Sequence, residues 1–277
     1  MKVPPPTPPL AEAPDELTDT GHLWLLEYVD GASFQFQVQE SGLIRFGDEN
    51  RVFHPDEIPV QYHHTVRHVR ERLDREALRN AAENVEDFVF FGTATYRRNI
   101  DYDWARLPSF LGSDIWSASD ERYLTFDTVE NALERLGLDA VNAFERELPA
   151  RDFDSDSYTI PESAWYDGPA AGVAVRNKRG ERAEIRAPGL DPSASEVVEG
   201  SAEEVAAKLA TDRRFAAVER RLQQRDEAVT VDALADRVFE AIVREQYRPL
   251  VQGPASIDMD GLRSAVAARA RAYLGYS

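Results

Sequence analysis

The sequence predicts an α+β body followed by a small all-helical domain. Three observations predict it: the chain opens with antiparallel-looking strands joined by tight turns, strands and helices then mix without regular βα alternation, and after about Pro188 the pattern is helical only. With 277 residues, 43% of them hydrophobic, the chain can bury one large core with a smaller appendage. Residues 1–20 are expected as a flexible arm, 21–190 as the mixed domain and 191–277 as the helical C-terminal domain.

Residues 1–20 hold Pro4, Pro5, Pro6, Pro8, Pro9 and Pro14 among small and acidic residues, which predicts an extended, poorly packed segment outside the core. From Leu23, LWLLEYV reads as a strand. Past Asp30-Gly31 the alternation of Phe34, Phe36 and Val38 marks a second strand with one apolar face, and Ser41-Gly42 turns it into LIRF. Over 62–80, Val66, Val69, Leu73 and Ala77 recur at three- and four-residue steps, which predicts one amphipathic helix. Strands are expected at 87–92 and 109–116. Asp127 and Glu130 have the spacing of a capped helix start, and Gly137 is placed to end that helix. GVAVR and RAEIR make a hairpin around Arg179-Gly180. In the helical part Ser201 and Glu204 form a capping box, and 211–224, 231–246 and 259–274 carry helical periodicity with alanine-rich faces.

No cysteine is present, which excludes disulfides, thiolate-zinc sites and thiol nucleophiles. No run approaches the roughly 18 apolar residues of a membrane span, and 1–20 lacks the basic-then-apolar order of a secretory signal, so a cytoplasmic location without a membrane partner is expected. The 50 acidic residues outnumber 32 basic ones for a net charge of −18, and only Lys2, Lys178 and Lys208 are lysines. Such a surface resembles that of proteins from salt-loving archaea, where molar salt screens self-repulsion over about 3 Å. Counterion release then contributes little to nucleic-acid binding, so the net charge neither supports nor excludes RNA. His64 and His68 have the spacing of a zinc pair but lack a third ligand, and Asp152, Asp154 and Asp156 open like a calcium loop whose glycine and closing glutamate are out of place. No metal site is expected. The pairs Arg97-Arg98 and Arg213-Arg214 read as partners of neighbouring carboxylates.

Several segments stand in a telling order. Glu27-Tyr28-Val29-Asp30-Gly31-Ala32-Ser33 closes the first strand, Phe46-Gly47-Asp48-Glu49-Asn50-Arg51 the third, and Phe91-Gly92-Thr93 the fourth. Pro108-Ser109-Phe110 leads to Ser113-Asp114-Ile115-Trp116, and Ala171-Gly172-Val173-Ala174-Val175-Arg176-Asn177 precedes Arg182-Ala183-Glu184-Ile185. In this order and spacing, across 22–187, they resemble the motifs of the ATP-dependent RNA ligase family, whose members transfer AMP from ATP to a lysine and then to an RNA 5′-phosphate. The resemblance implies a nucleotidyltransferase domain of the RNA/DNA ligase type, built of antiparallel sheets and helices.

The departures fall on the residues that would touch nucleotide. The family's nucleophilic lysine is replaced by Tyr28, and a deprotonated amine is what attacks the α-phosphate in that chemistry. Glu49 stands for a phosphate-binding arginine, Thr93 for a ribose-binding glutamate, Ser113 for the aromatic that stacks on adenine, Ala171 for a metal-binding glutamate and Glu184 for a phosphate-binding lysine. A carboxylate at 49 or 184 opposes phosphate where a cation should clamp it.

What the resemblance implies is therefore a family member of halophilic archaeal type without its chemistry. It is a pseudoenzyme with no catalytic residue, unable to form lysyl-AMP, that binds RNA or an active ligase-type protein. Asp30, Gly31, Arg51, Asp114, Arg176 and Asn177 are the expected remnants of the cleft. No cofactor is expected; ATP and Mg2+ enter only under the alternative of an active ligase with a displaced nucleophile, for which Lys178 is the nearest lysine. A third alternative is a structural or assembly module with a filled cleft, since Tyr28 and Ala171 make a pocket drier. The sequence says nothing of oligomeric state.

Overall fold

The computed structural model describes residues 1–4, 6–155, 157–190, 198–252 and 257–276. The chain divides into two compact units, one of Met1–Ile58, Thr65–Thr95 and Ile100–Leu190, the other of Pro59–His64, Tyr96–Asn99 and Asp191–Ser277. A division made along the sequence alone assigns the two short stretches 59–64 and 96–99 to the wrong side.

The first unit is built on two sheets. β1 (His22–Tyr28), β8 (Ala143–Pro149), β9 (Gly172–Asn177) and β10 (Arg182–Arg186) form a four-stranded sheet in the order β10-β9-β1-β8. The second sheet runs β3-β2-β4-β5-β6, from β2 (Ala32–Val38), β3 (Ile44–Gly47), β4 (Phe88–Ala94), β5 (Phe110–Ser117) and β6 (Arg122–Tyr123), with β7 (Asp139–Ala140) added parallel to β5. All other pairings are antiparallel. Hairpins join β2 to β3 around Gly42 (φ 81°) and β9 to β10 around Gly180 (φ 97°), as the turn residues predict. β1 and β2 do not pair with each other. Asp30-Gly31 instead carries the chain from one sheet to the other.

The short helix α1 (Glu16–Asp19) corrects the expectation of a loose arm. Leu17 is fully buried at 0% exposure, and Leu10 and Ala13 pack with it on Leu23, Leu25, Val173, Val175 and Ala183. The single helix expected over 62–80 is two: α2 (His63–Arg72) and α3 (Arg75–Ala81). Asp74 leaves helical geometry and its side chain accepts from the Ala77 N–H at 2.8 Å, so it starts a new helix instead of continuing the old one. α4 (Phe126–Arg135) begins after Thr125, and Asp127 is inside it, its carboxylate accepting from Trp24 Nε1 at 3.2 Å. Gly137 (φ 74°) ends it as expected. On the side of the six-stranded sheet away from the four-stranded one, Phe34, Phe36, Phe46, Phe90 and Phe110 pack ring on ring, with Phe36 and Phe90 stacked at 4.6 Å.

The second unit is helical: α5 (Ala202–Leu209), α6 (Asp212–Gln224), α7 (Val231–Tyr247) and α8 (Met259–Tyr273). Their apolar stripes meet in a core that includes Val205, Phe215, Leu222, Val238, Phe239 and Leu262. The Ser201–Glu204 capping box forms in both directions. Arg214 makes a double hydrogen bond to Glu245, as expected of an arginine in so acidic a chain. The short stretches are held by rings and guanidiniums: Tyr96 meets Tyr62 at 6.2 Å and Tyr247 at 4.8 Å, Arg97 Nη1 donates to Gln246 Oε1, and Arg248 Nη1 donates to Arg98 O and Asn99 Oδ1. No helix among the described residues is long and apolar enough to cross a membrane.

Candidate functional site

Register fixes which side chains share the cleft face of the four-stranded sheet. Trp24, Arg176 and Arg182 stand in one row, Leu26, Ala174 and Glu184 in the next, and Tyr28, Gly172 and Arg186 in the third. The alternate residues of these strands, Leu23, Leu25, Val173, Val175 and Ala183, face the apolar cluster behind. In the six-stranded sheet Gln35, Phe91 and Asp114 are in register, and Trp116 follows Asp114 on the same face.

The two faces are tied together by charge. Arg176 Nη1 and Nη2 donate to Asp114 Oδ1 and Oδ2 at 3.0 and 2.9 Å, and Arg182 Nη1 donates to Oδ1 at 2.9 Å. Ser113 Oγ donates to Asp114 Oδ2 at 2.9 Å, and the Ser113 carbonyl accepts from Arg176 Nη1 at 2.8 Å. The side chains of Asp114, Arg182 and Arg176 are 6%, 7% and 14% exposed, so this is a buried cluster. Burial raises the Asp114 carboxyl, but the guanidiniums of Arg176 and Arg182 outweigh it and hold the group below its ordinary value. Arg182 is lowered by its own burial and by Arg176 beside it.

At the other end of the face, the Arg186 guanidinium lies 4.9 Å from the Tyr28 ring centroid and its Nε donates to Glu184 Oε1 at 2.7 Å. The hydrogen bond to Glu184 raises Arg186 further above its ordinary value. Thus the cleft's cations already have carboxylate partners, and the end of β1 presents a phenol.

Of the residues singled out from sequence, Asp114 and Arg176 come together, with each other as partners. Asp30 is 5% exposed; its N–H donates to the Tyr102 hydroxyl at 2.8 Å and its Oδ2 accepts from the Ile100 N–H at 3.3 Å, which pins the crossover between sheets. Burial, and then the nearby Asp30 and Glu27 carboxylates, push the Tyr102 hydroxyl far up, so it is a neutral phenol. Gly31 serves packing, since a Cβ there would lie 2.5 Å from the Ala94 carbonyl. Arg51 is exposed in the turn after β3, its guanidinium 5.9 Å from the Phe53 ring, and β3 is three strands from β5. Asn177 alternates to the opposite face from Arg176; its Oδ1 accepts from the Arg179 and Glu181 N–H groups and its Nδ2 donates to Glu181. It shapes its own hairpin turn. Ala171 is buried at 1% among Trp24, Leu26 and Val29. Lys178 is an exposed ion pair with Glu147 at 2.6 Å.

Sequence reading missed Arg182, Arg186 and Tyr123. The two arginines had a signal: Arg182, Glu184 and Arg186 alternate with Ala183 and Ile185, the pattern of a strand with one charged face. Tyr123, whose ring lies 5.4 Å from the Arg182 guanidinium, sits in a two-residue strand too short to show periodicity. Glu27 was also missed as a structural group. It is 2% exposed and accepts from Ser163 Oγ, Asn142 Nδ2 and the Ala164 N–H, while burial raises its carboxyl. Among the described residues no group of three or more His, Asp or Glu is arranged to hold a metal ion; Asp156 lies outside them.

No protein-family model and no curated protein matches the chain. Solved structures do. An archaeal ATP-dependent RNA ligase (form 2) superposes with a TM-score of 0.50 and 14% identity, covering 90% of this chain and 65% of that one. A point mutant of the Naegleria gruberi RNA ligase with ATP and Mn gives 0.53 and 13%, and the same ligase with PPi gives 0.52 and 13%, each covering 68% of this chain and 56% of the other. The chain has the fold of the RNA ligase nucleotidyltransferases, at a sequence identity where the likeness is one of fold, and it spans 56% to 65% of these neighbours' length.

Proposed function

We propose that this protein is a ligase-fold pseudoenzyme of a salt-loving organism's cytoplasm, which forms no enzyme–AMP adduct and keeps a binding role toward RNA or an active ligase-type protein. The observation that carries this reading is the third row of the cleft. Where the resemblance requires an amine, Tyr28 offers a phenol under Arg186, and Glu184 holds that arginine. A bound ATP with its metal does not fit these residues, because its phosphates would meet the Glu184 carboxylate, and Ala171 supplies a methyl where a metal-binding carboxylate belongs. No step of adenylyl transfer is derived for this chain. Loss of a covalent nucleophile removes the pathway outright.

The filled-cleft alternative is favoured by one observation of its own, the Arg176–Asp114–Arg182 cluster that spans the two sheets. Incubation with α-labelled ATP and Mg2+ in molar KCl, followed by the mass of the intact protein, tests the first point: no gain of AMP is expected, and an adduct on any residue defeats the reading. Titration with single-stranded RNA and with a ligase-type protein under the same salt then separates the two forms. Binding weakened by Arg186→Ala supports the cleft as the binding surface, and no binding to either leaves the filled module.

A further inference from the structure

The N-terminal segment lies against this cleft from outside. The Pro8 carbonyl accepts from the Glu184 N–H at 2.9 Å and Pro9 bridges Glu184 in the parallel sense, so the segment adds to the sheet edge beside β10. Nearer its start, Lys2 Nζ stands 3.9 Å from the Trp116 ring centroid and the Val3 carbonyl accepts from the Tyr123 hydroxyl at 2.9 Å. Trp116 and Tyr123 are cross-strand partners in edge-on contact at 4.9 Å. The described residues of 1–9 therefore touch both the edge of one sheet and the cleft-side face of the other. Met1, Pro4, Thr7 and Pro8 are half-buried, whereas Lys2, Val3, Pro6 and Pro9 are exposed. Pro9, the residue before a 3-10 turn at Leu10–Glu12, has φ −52° and ψ 144°, close to the dihedrals of polyproline II.

We propose that the edge of β10 together with Trp116 and Tyr123 is a groove for an extended, proline-rich protein segment led by a cation, and that residues 1–4 and 6–9 of the chain are its resident ligand. Each contact matches that chemistry. Polyproline II has no internal hydrogen bonds, so its carbonyls suit the edge N–H of Glu184 and the phenol of Tyr123. The stiff proline backbone loses little entropy on ordering, and an ammonium is attracted to the face of a tryptophan. A tethered ligand holds such a groove at an effective concentration of order millimolar, so a partner of the same chemistry binds only by displacing it. The groove does not depend on whether adenylylation is lost.

The test weakens the ligand and leaves its seat intact. The full chain carrying Lys2→Glu, Pro8→Gly and Pro9→Gly is titrated, beside the wild type, with a fluorescent peptide of the sequence of residues 1–12 in molar KCl. The variant should bind the peptide at least tenfold more tightly than the wild type, and adding Tyr123→Phe to the variant should reduce that affinity at least threefold. Equal affinities for wild type and variant, no binding to either, or indifference to Tyr123→Phe overturns the proposal. Amide exchange at Glu184 supplies a reading that needs no peptide: protection in the wild type and at least tenfold faster exchange in the variant are expected, and rapid exchange in the wild type also overturns it.

Discussion

Asp114→Asn should cost the first unit about 3 kcal/mol. Asp114 accepts three hydrogen bonds from two guanidiniums and one from Ser113, at 6% exposure. An asparagine keeps one acceptor oxygen, adds a donor, and leaves two buried cations facing each other. Removing one partner of a buried ion pair typically costs about 3–5 kcal/mol. The lower end applies here because Arg176 is 14% exposed and keeps its bond to the Ser113 carbonyl. At about 2–4 °C per kcal/mol for a chain of this size, the melting temperature should fall by about 6–12 °C. Urea unfolding in molar KCl at pH 7, followed by tryptophan fluorescence, reads the right part of the molecule, since Trp24, Trp104, Trp116 and Trp165 all belong to the first unit. A depressed carboxyl contributes stability that is present above the unfolded value of about 3.9 and lost as pH falls through the folded one. The wild type should lose its advantage over Asp114→Asn in that acid window. Replacing the cluster as a whole, with Asp114→Leu, Arg176→Met and Arg182→Leu, should recover most of the loss, because no buried charge is left alone. A loss below about 1 kcal/mol for the single variant, or a triple variant less stable than the single one, would refute the reasoning.

Three further outcomes are expected. Tyr28→Lys alone should give no labelling with α-labelled ATP, because Glu184 and Ser113 still oppose phosphate and fail to stack on adenine, and each lost electrostatic contact typically costs about a hundred- to a thousandfold in rate; efficient labelling of the single variant sinks the idea of a site altered at several positions. Gly172→Ala should destabilise by about 1–3 kcal/mol, since its Cβ would lie 2.3 Å from the Ile185 carbonyl on the paired strand, and an unchanged urea midpoint would contradict that geometry. With a net charge of −18, the chain should lose far-UV circular dichroism and melting temperature on transfer from molar KCl to dilute buffer, and identical spectra and melting curves in both would count against salt dependence.

The fold was legible where local chemistry speaks for itself. Alternation at Phe34, Phe36 and Val38, the turns at Gly42 and Gly180, and the Ser201 capping box all stand as the sequence predicts. What failed was long-range. Whether Asp30-Gly31 closes a hairpin or crosses between sheets depends on Tyr102 and Ile100, about seventy residues away, and no periodicity carries that. Leu10, Ala13 and Leu17 are docked by partners on β1, β9 and β10, so a proline-rich composition hid a packed segment. At the site, charged residues could be found but not their pairing. Asp114 and Arg176 read as groups waiting for a ligand until the sheets bring them within 2.9 Å of each other.

On the proposed reading, the same geometry explains why the motif framework stands beside altered contacts. Gly31 and Gly172 have carbonyls of neighbouring strands at 2.5 and 2.3 Å from where a Cβ would sit, and Asp30 holds the crossover through Tyr102 and Ile100. Each is demanded by the fold whether or not nucleotide binds. Tyr28, Ser113, Ala171 and Glu184 carry no such demand, because what they replace is tied to the ligand by the resemblance and not to the sheets. On the proposed reading, with no nucleotide selecting the cleft, those positions take partners from the protein: Ser113 donates to Asp114, Glu184 accepts from Arg186, and Ala171 packs in the apolar cluster around Trp24. An unpaired buried charge costs several kcal/mol, and in the Arg176–Asp114–Arg182 cluster the one carboxylate meets both buried guanidiniums, so their charges are offset without any phosphate.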